Sequence, residues 1–354
     1  MFKKKTLVVV GAGASCEVDL PDGKKLTSTI AQMLNIELGD FGKLTGGDPA
    51  VRETLRIMAI EVAEKNPGGP PANARPYVDA AQMIRDAMPL AESIDNFIDT
   101  HKGDASIEGC GKLAIVQSIL HAEKESHLYF ENIGLNSNID YKDIQNTWFI
   151  EFYQLLTKNC GKEDLAKRFD SLVMIIFNYD RCVEHFLVNS IRTYYGIDAK
   201  EAAELVNRIE IYHPYGKVGH LPWQKHKKGG GVIDFGAKTN PAILIKLSEQ
   251  IRTFTEGTDQ GSSEISAIRE HVKSSEIVIF LGFAFHALNL KLLKPESGGS
   301  KAMCFATAKD ISEHDCIIIK KELAKLKPLN VICLRNDLSC SKLFQEYSRS
   351  LSYT

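Results

Sequence analysis

The sequence predicts an α/β fold, in which a doubly wound, mostly parallel, Rossmann-like sheet carries a large helical insertion. Three observations predict it. Short apolar, β-branched runs alternate with segments of helical periodicity. Several of these runs end in glycine or in polar residues, at the positions where strands of an open parallel sheet meet their ligands. A long helical stretch separates the first run from the second.

The bulk composition is that of an ordinary soluble globular protein. Of the 354 residues, 44% are hydrophobic and 25% are charged, and the formal net charge is −2. This charge gives no general attraction to nucleic acid or to anionic lipid. The best basic run, at 225–228, adjoins three glycines and is more typical of a solvated loop than of a nucleic-acid-binding surface. No stretch approaches the ~18 apolar residues of a membrane-spanning helix, so we expect a cytoplasmic protein with no membrane partner.

The eight cysteines are spaced irregularly and include no C-x-x-C pair. This spacing argues against a structural zinc module and against a disulfide framework. We therefore expect most of them to be small buried hydrophobic residues, and we expect no bound metal.

The first predicted element is a buried parallel strand at 6–10. Its sequence, Thr-Leu-Val-Val-Val, is apolar and β-branched, and it runs directly into Gly-Ala-Gly-Ala-Ser at 11–15. A helix is expected to follow this glycine turn. Apolar residues then recur at helical spacing over 26–34 and indicate a further helical segment.

The stretch from about 40 to 165 is predicted to be a helical insertion or subdomain. Clusters of glycine and proline interrupt it, and apolar residues elsewhere recur every three or four positions. The clearest helical segments are 51–65, 93–101, 112–126 and 148–158. The prediction is thus one domain, with a Rossmann-like core at about 1–40 and 166–354.

Strand character returns after residue 170 and then alternates with helices. The predicted strands are 172–177, 209–212, 276–281, 302–307 and 330–334. The predicted helices between them include 181–195 and 312–326. Apolar strands that alternate with helices in this way specify parallel strands joined by helical crossovers.

The glycine turn at 11–15 is a candidate phosphate-binding loop. A strand–glycine–helix turn lets the backbone approach a pyrophosphate closely and presents backbone N–H groups at a helix N-terminus. The full dinucleotide motif G-x-G-x-x-G needs glycine at position 16, where this chain has Cys16. No convincing acidic ribose ligand follows about 20 residues later. An ordinary Rossmann dehydrogenase is therefore disfavoured, and a tight turn that binds no ligand is the alternative.

Polar residues and glycines gather at the carboxyl ends of the later predicted strands. Asn178 and Asp180 follow the second predicted strand, His213 follows the third, and Gly282 with Phe283 follows the fourth. Ligands bind outside this edge of an open α/β sheet, so we expect these residues to share one crevice with the glycine turn. The alternatives are helix capping by Asn178 or Asp180 and a structural, hydrogen-bonded His213.

Taken in order, these motifs resemble those of the sirtuin-like family, and specifically its bacterial defence-associated NADase branch. The turn at 11–15 is similar to the family's phosphate-binding G-A-G-x-S, and Phe-Asn-Tyr-Asp at 177–180 is similar to its strand-end motif. His213, followed closely by Gly216, resembles its catalytic histidine. The segment 281–286 resembles its later glycine turn, which holds the adenosine half.

Two features distinguish the chain from the protein deacylases of that family. The deacylases carry a four-cysteine zinc module between the histidine and the later glycine turn, whereas this chain has no cysteine between 213 and 282. The helical insertion is also unlike a compact deacylase, and Ser-Ile-Asp-Asn-Phe at 93–97 resembles a helical motif of the NADase branch. The resemblance therefore favours NAD hydrolysis over deacylation.

The resemblance implies that NAD is the substrate and that the bond between nicotinamide and ribose is cleaved. It implies His213 as general base toward water or a ribose hydroxyl, and Asn178 as the residue that orients the ribose and the water. It implies that Asp180 holds the nicotinamide side or orders the loop. The dinucleotide-binding residues that it implies are Gly11, Ala12, Gly13, Ala14, Ser15, Gly282 and Phe283.

The hypothesis from sequence is an NAD glycohydrolase that releases nicotinamide and ADP-ribose and acts as an antiphage effector by depleting cellular NAD. Such an activity is toxic without restraint, so a homo-oligomer or a partner ATPase or translocase of a defence system is expected. Two alternatives stay open. One is NAD-dependent protein deacylation or ADP-ribosyl transfer, and the other is a non-catalytic module that binds NAD or ADP-ribose as a sensor.

Overall fold

The centre of the molecule is a six-stranded β-sheet in which every strand is parallel to its neighbours. The computed structural model describes residues 4–40, 43–65, 71–131, 137–225, 230–253, 256 and 263–353. The sheet consists of β1 (Thr6–Val10), β4 (Leu172–Ile176), β5 (Glu210–Tyr212), β6 (Ile277–Leu281), β7 (Ala302–Thr307) and β8 (Leu329–Arg335), and a separate antiparallel pair of β2 (Ile36–Leu38) and β3 (Leu44–Gly46). The prediction of an α/β fold with a parallel sheet is confirmed.

The strand order explains where a ligand can bind. In space the strands run β5-β4-β1-β6-β7-β8, which is the order of a Rossmann-type sheet. The chain therefore winds outward in one direction from β1 to β5 and in the other from β6 to β8. Val10 pairs with Ile176 on one side and with Leu281 on the other, so the turns after β1, β4 and β6 emerge side by side. This reversal is the place where open α/β sheets bind ligands.

Helices cover both faces of the sheet and form an additional layer beside it. In chain order they are α1 (Ala12–Ser15), α2 (Gly23–Met33), α3 (Pro49–Glu64), α4 (Arg75–Ala87), α5 (Ile94–Thr100), α6 (Ala105–Glu125), α7 (Trp148–Thr157), α8 (Lys162–Phe169), α9 (Cys182–Tyr195), α10 (Ala199–Val206), α11 (Pro241–Ser248), α12 (Ser263–Ser274), α13 (Ala287–Leu293), α14 (Glu313–Leu326) and α15 (Cys340–Tyr353).

The alternation of side chains along β1 divides the core of the sheet into two apolar layers. Leu7 and Val9 point to the face that is covered by α12, α13 and α14. Val8 and Val10 point to the opposite face, where α7, α8, α9, α10 and α15 pack. All four of these side chains are at most 1% exposed, so β1 is the most central strand.

A third apolar cluster lies in the helical layer. It joins α2 to α6 with α11, through residues such as Ile30, Ile84, Leu113 and Leu247. Tyr179, which follows β4, belongs to the same cluster. The helical layer therefore reaches the carboxyl edge of the sheet.

A buried ion pair ties the helical layer to the sheet. Arg181 and Glu123 are both fully buried, and Arg181 Nε donates to Glu123 Oε1 at 3.0 Å. The same guanidinium donates to the carbonyl oxygen of Ile233 at 2.7 Å, and the N–H of Gly236 donates to Glu123 Oε2 at 3.0 Å. One contact thus connects α6, the start of α9 and the loop at 233–236.

The structure differs from the sequence prediction at several elements. The helix expected after the first glycine turn is only four residues long, because α1 passes directly into a 3-10 turn at Cys16–Val18. The β2–β3 hairpin and the C-terminal helix α15 were not predicted. Most of the basic run at 225–228 lies outside the described residues. Within those residues, no helix combines the length and the hydrophobicity needed to cross a membrane.

Candidate active site

A cavity of about 1000 Å³ opens at the carboxyl edge of the sheet, at the reversal between β1 and β6. Its volume is at the upper end of the range for small-molecule sites, which suits an extended ligand. The turns after β1, β4, β6 and β7 form much of its wall, and the segments that begin α2, α5 and α15 also line it.

Two glycine turns touch each other in the wall of this cavity. The N–H of Gly13 donates to the carbonyl oxygen of Gly282 at 3.1 Å. A Cβ atom at Gly11 would lie only 2.5 Å from that same oxygen, so a larger residue could not be placed there without movement of the backbone. Gly282 has φ +54°, in the left-handed region that favours glycine. Gly11, Ala12 and Gly13 all line the cavity.

Some backbone groups of the first turn are engaged within the protein. The N–H of Gly13 is bound to Gly282, and that of Ala14 donates to the carbonyl oxygen of Gly11 at 3.0 Å. The short α1 also adds little helix dipole to the site. Ala14 and Ser15 are buried behind the cavity wall rather than in it. The turn therefore offers an anion fewer donors than the motif alone suggests.

Asn178 lies in the cavity wall immediately after β4 and is 6% exposed. Its side-chain oxygen accepts a hydrogen bond from the N–H of Tyr179 at 2.9 Å. Its amide nitrogen donates to Asp180 Oδ2 and lies 3.4 Å from Ser15 Oγ. These contacts fix the direction of the amide at the edge of the cavity.

Asp180 is buried and holds the strand end together. Its Oδ2 accepts a hydrogen bond from Ser15 Oγ at 2.8 Å, and its Oδ1 accepts one from the N–H of Cys182 at 3.0 Å, at the start of α9. Burial raises the pKa of Asp180, and the hydrogen bonds from Cys182 and Ser15 offset part of this rise. Its carboxylate does not line the cavity. Of the two roles that the resemblance implies, ordering of the loop fits these contacts better.

His213 follows β5 and is 8% exposed, but it is not part of the cavity wall. Its Nε2 lies 3.0 Å from Glu184 Oε1, and its Nδ1 lies 3.2 Å from the carbonyl oxygen of Asn178. Both neighbours are hydrogen-bond acceptors, so each ring nitrogen forms a hydrogen bond with its neighbour only when it carries a hydrogen. His213 therefore contacts the backbone of Asn178, but it is not among the residues that line the cavity.

Glu184, on α9, is the buried partner of His213. Its Oε1 also accepts hydrogen bonds from Lys217 Nζ at 2.8 Å and from Gln224 Nε2 at 3.3 Å. Burial by itself would raise the pKa of Glu184, but the charges of Lys217 and His213 hold it well below its ordinary value. Its Oε2 is buried and has no hydrogen-bond partner among the described residues.

The helical layer adds a titratable group to the cavity wall. Asp95, on α5, accepts a hydrogen bond from the hydroxyl of Tyr179. Burial raises the pKa of Asp95 to about 6, although the Tyr179 bond acts in the opposite direction. Nearby in the wall, the hydroxyl of Tyr215 donates to Asn289 Oδ1 at 2.5 Å. A carboxyl group that titrates near pH 6 thus lies beside the strand end that carries Asn178.

The turn after β6 supplies an aromatic surface and part of the exposed rim. Phe283 is 3% exposed, and its ring centroid lies 5.1 Å from that of Phe177. His286 Nδ1 lies 3.0 Å from Glu92 Oε1, so this turn meets the loop before α5. Phe283, His286 and Glu92 all line the cavity.

Acidic side chains outnumber basic ones in the cavity wall. The acidic residues are Glu17, Asp22, Glu92, Asp95 and Asp310, and the basic ones are Lys309 and His286. This balance favours a ligand with a cationic group over a bare anion. A pyrophosphate here would depend on backbone donors and on Lys309.

Glu184 and Lys217 escape sequence-based detection, although Glu184 leaves a weak signal. It lies among apolar residues at the start of a helix, beside Val183 and before Phe186. A carboxylate on an apolar helix face is rarely buried unless it is paired. The spacing cannot name its partners, because His213 and Lys217 come from a segment about 30 residues further along.

Comparison with known proteins assigns no family to this chain. No family model matches the sequence, and no curated protein matches it either. Within the part of the chain that the structure describes, no group of three or more His, Cys, Asp or Glu side chains is arranged to hold a metal ion.

Proposed function

We propose that this protein is a sirtuin-like NAD glycohydrolase, which cleaves NAD to nicotinamide and ADP-ribose. The observation that carries the proposal is the convergence of three strand ends on one large cavity at the reversal of the sheet. The glycine turn after β1, Asn178 after β4 and the glycine turn after β6 all line it. This is where the resemblance would put the dinucleotide.

The charge of the cavity supports cleavage at the nicotinamide end. Cleavage passes through a ribose that resembles an oxocarbenium ion, and the nicotinamide ring of NAD is itself cationic. An acidic wall stabilises such positive charge. Asp95 adds a carboxylate beside the Asn178 strand end once the pH exceeds its pKa of about 6. The adenosine half would then extend toward the turn after β7, past Gly282 and Lys309.

In the proposed mechanism Asn178 orients the ribose and the attacking water, and His213 accepts a proton. The fixed amide of Asn178 is suited to the first task. For the second, Nδ1 of His213 must move from the carbonyl oxygen of Asn178 to the attacking water, because both ring nitrogens now face acceptors. Asp180 orders the turn beneath them through Ser15.

Incubation of the protein with NAD, followed by measurement of nicotinamide and ADP-ribose, tests the proposal. Asn178→Ala and His213→Ala should each lower turnover by about 10²–10⁴-fold, the usual contribution of general-base catalysis. His314→Ala, on the exposed face of α14, is the matched control and should leave turnover unchanged. Full turnover by His213→Ala would show that the mechanism is wrong.

One observation favours a second candidate function, a non-catalytic NAD or ADP-ribose sensor. His213 does not line the cavity, and both of its ring nitrogens are engaged. Calorimetry, which measures binding, and the nicotinamide assay, which measures cleavage, together distinguish the two functions. A sensor would bind NAD or ADP-ribose without releasing nicotinamide, whether or not a candidate partner is added.

By resemblance, we further propose that the hydrolase is an antiphage effector restrained by assembly. A homo-oligomer or a partner ATPase would control its activity, and the helical layer is the proposed contact surface. Size-exclusion chromatography combined with the nicotinamide assay tests this proposal. A fully active monomer would argue against control by assembly.

A further inference from the structure

We infer that Glu184 and Lys217 are a positioning pair for His213, and that the pair makes Nδ1 the ring atom that accepts the proton. The inference rests on the proposed hydrolase function, because it assigns the proton chemistry of that same site. It goes beyond that function in naming the carboxylate and the ammonium that control the histidine.

The contacts distinguish the two ring nitrogens. Glu184 is completely buried, and its Oε1 lies 3.0 Å from His213 Nε2. In the neutral imidazole, a hydrogen on Nε2 would donate to this carboxylate, and the lone pair would then be on Nδ1. A carboxylate holds catalytic histidines in one tautomer in the same way in other hydrolases. Nδ1 is the nitrogen beside Asn178, the residue in the cavity wall.

The surroundings of His213 match the charged product of proton transfer. When water attacks the ribose carbon, one of its O–H bonds breaks and the proton moves to Nδ1. The oxygen keeps that electron pair and forms the new C–O bond, and nicotinamide leaves with the electron pair of the broken C–N bond. When the ring returns to its position in the structure, the imidazolium would lie between the carbonyl oxygen of Asn178 at 3.2 Å and the carboxylate of Glu184. Both acceptors stabilise the positive charge.

Lys217 limits how strongly Glu184 stabilises the imidazolium of His213. Its ammonium lies 2.8 Å from the same oxygen of Glu184 and so offsets part of the negative charge that His213 experiences. Among the described residues, the groups within hydrogen-bond distance of His213 or Glu184 are their own mutual contact, the Lys217 ammonium, the Gln224 amide and the Asn178 carbonyl. Without Lys217, the imidazole would keep its proton to higher pH, and it could accept a proton only over a narrower pH range.

Two substitutions should shift the pH profile of NAD cleavage in opposite directions. Glu184→Gln keeps a hydrogen-bond acceptor but removes the negative charge, so the acidic limb of the kcat profile should move to lower pH. Lys217→Met removes the positive charge, so the limb should move to higher pH. Glu184→Gln should also lower the plateau by about tenfold, which is less than the 10²–10⁴-fold lost with the general base itself. A purely structural role would lower activity without moving the limb.

Glu210→Gln is a matched control, because Glu210 pairs with His271 in a similar way. His271 Nε2 lies 3.1 Å from Glu210 Oε2, and neither residue lines the cavity. This variant should retain both the wild-type plateau and the wild-type limb. Acidic limbs that coincide in wild type, Glu184→Gln and Lys217→Met would overturn the inference.

A measurement without substrate separates failure of this inference from failure of the proposed function. The imidazole of His213 can be titrated by NMR in protein labelled with ¹⁵N-histidine, with the signal assigned from its loss in His213→Gln. Protonation should occur at lower pH in Glu184→Gln, and hydrogen on Nε2 should predominate in the neutral wild type. Absence of nicotinamide release with these two results would refute the hydrolase alone. A neutral wild-type tautomer with hydrogen on Nδ1 would refute the inference, whatever the activity.

Discussion

At the scale of single residues, the carboxyl groups near the cavity accept hydrogen bonds from neighbouring side chains and backbone. Asp180 accepts from Ser15 and from the start of α9, and Asp95 accepts from Tyr179. The two carboxyl groups nevertheless lie in different settings, because Asp95 is in the cavity wall and Asp180 is behind it. Asp95 is thus the one whose titration affects the cavity directly.

The raised pKa of Asp95 predicts a pH-dependent effect of Asp95→Asn on stability. Folded Asp95 keeps its proton up to about pH 6, whereas the unfolded chain loses it near the ordinary value of 3.8. The stability that Asp95 contributes is therefore fully present below about pH 4 and is lost as the pH rises through 6. Relative to wild type, Asp95→Asn should gain up to about 3 kcal/mol between pH 4 and pH 7.5.

Urea unfolding of wild type and Asp95→Asn at these two pH values measures the difference. Asp86→Asn is a suitable control, because Asp86 is exposed and pairs with its neighbour Arg85. An effect of Asp95→Asn that is the same at both pH values would contradict the raised pKa.

The sequence could predict which residues end the strands, but not how their side chains pair. Asn178 and His213 follow apolar runs directly, so their placement at one edge depends only on the strands being parallel. The contact between His213 and Glu184 depends on how α9 packs beside β5, which no local pattern encodes. The direction in which His213 faces could not be predicted for the same reason.

At the scale of elements, the close contact between the turns after β1 and β6 determines the shape of the cavity. It requires glycine on both sides, because Gly11 approaches the carbonyl oxygen of Gly282, and Gly282 has a positive φ. The sequence motif indicated a phosphate loop for the first turn. In the structure, the Gly13 N–H of that turn donates a hydrogen bond to the second turn.

Gly11→Ala should disturb this contact and destabilise the fold. The added Cβ would lie 2.5 Å from the oxygen of Gly282 and 2.7 Å from the Cα of Phe283, so the two turns must move apart. Overpacking of this kind typically costs about 1–3 kcal/mol. Urea denaturation measures the loss, and calorimetry with NAD should show weaker binding.

Gly23→Ala provides the control for that substitution. Gly23 also lines the cavity, but a Cβ there would meet no atom within 4 Å. Since Gly23 begins α2, alanine should leave stability unchanged or raise it by less than about 1 kcal/mol. Equal stability losses for the two variants would contradict the proposed close contact.

Elements with strong patterns were predicted well, and short or mixed elements were not. The strand at 302–307 was predicted with its observed bounds, because its apolar run has a clear start and end. The β2–β3 pair has strands of only three residues, too short for an alternating pattern to be recognised. α15 carries apolar residues at helical spacing, but its polar composition resembles that of a mobile terminus.

At the scale of the whole molecule, the Arg181–Glu123 pair joins the helical layer to the sheet. Glu123→Ala would leave the Arg181 guanidinium buried without its partner, which typically costs about 3–5 kcal/mol. The exposed pair of Asp170 and Arg208 offers a comparison, and Asp170→Ala should cost no more than about 1 kcal/mol. Chemical denaturation measures both. A loss for Glu123→Ala no larger than that for Asp170→Ala would show that the pair does not hold the two layers together.

The central position of β1 has a consequence for the synthesis of the chain. β1 is made first, but its two neighbours in the sheet are β4 and β6, so both of its edges are filled only after the ribosome has passed Leu281. At about 5–20 residues per second, this delay lasts for tens of seconds. The helices of the insertion, with their local contacts, can form in the meantime. The cavity, by contrast, is completed late, so a nascent chain cannot carry a finished site before β6, β7 and the turns that follow them have been translated.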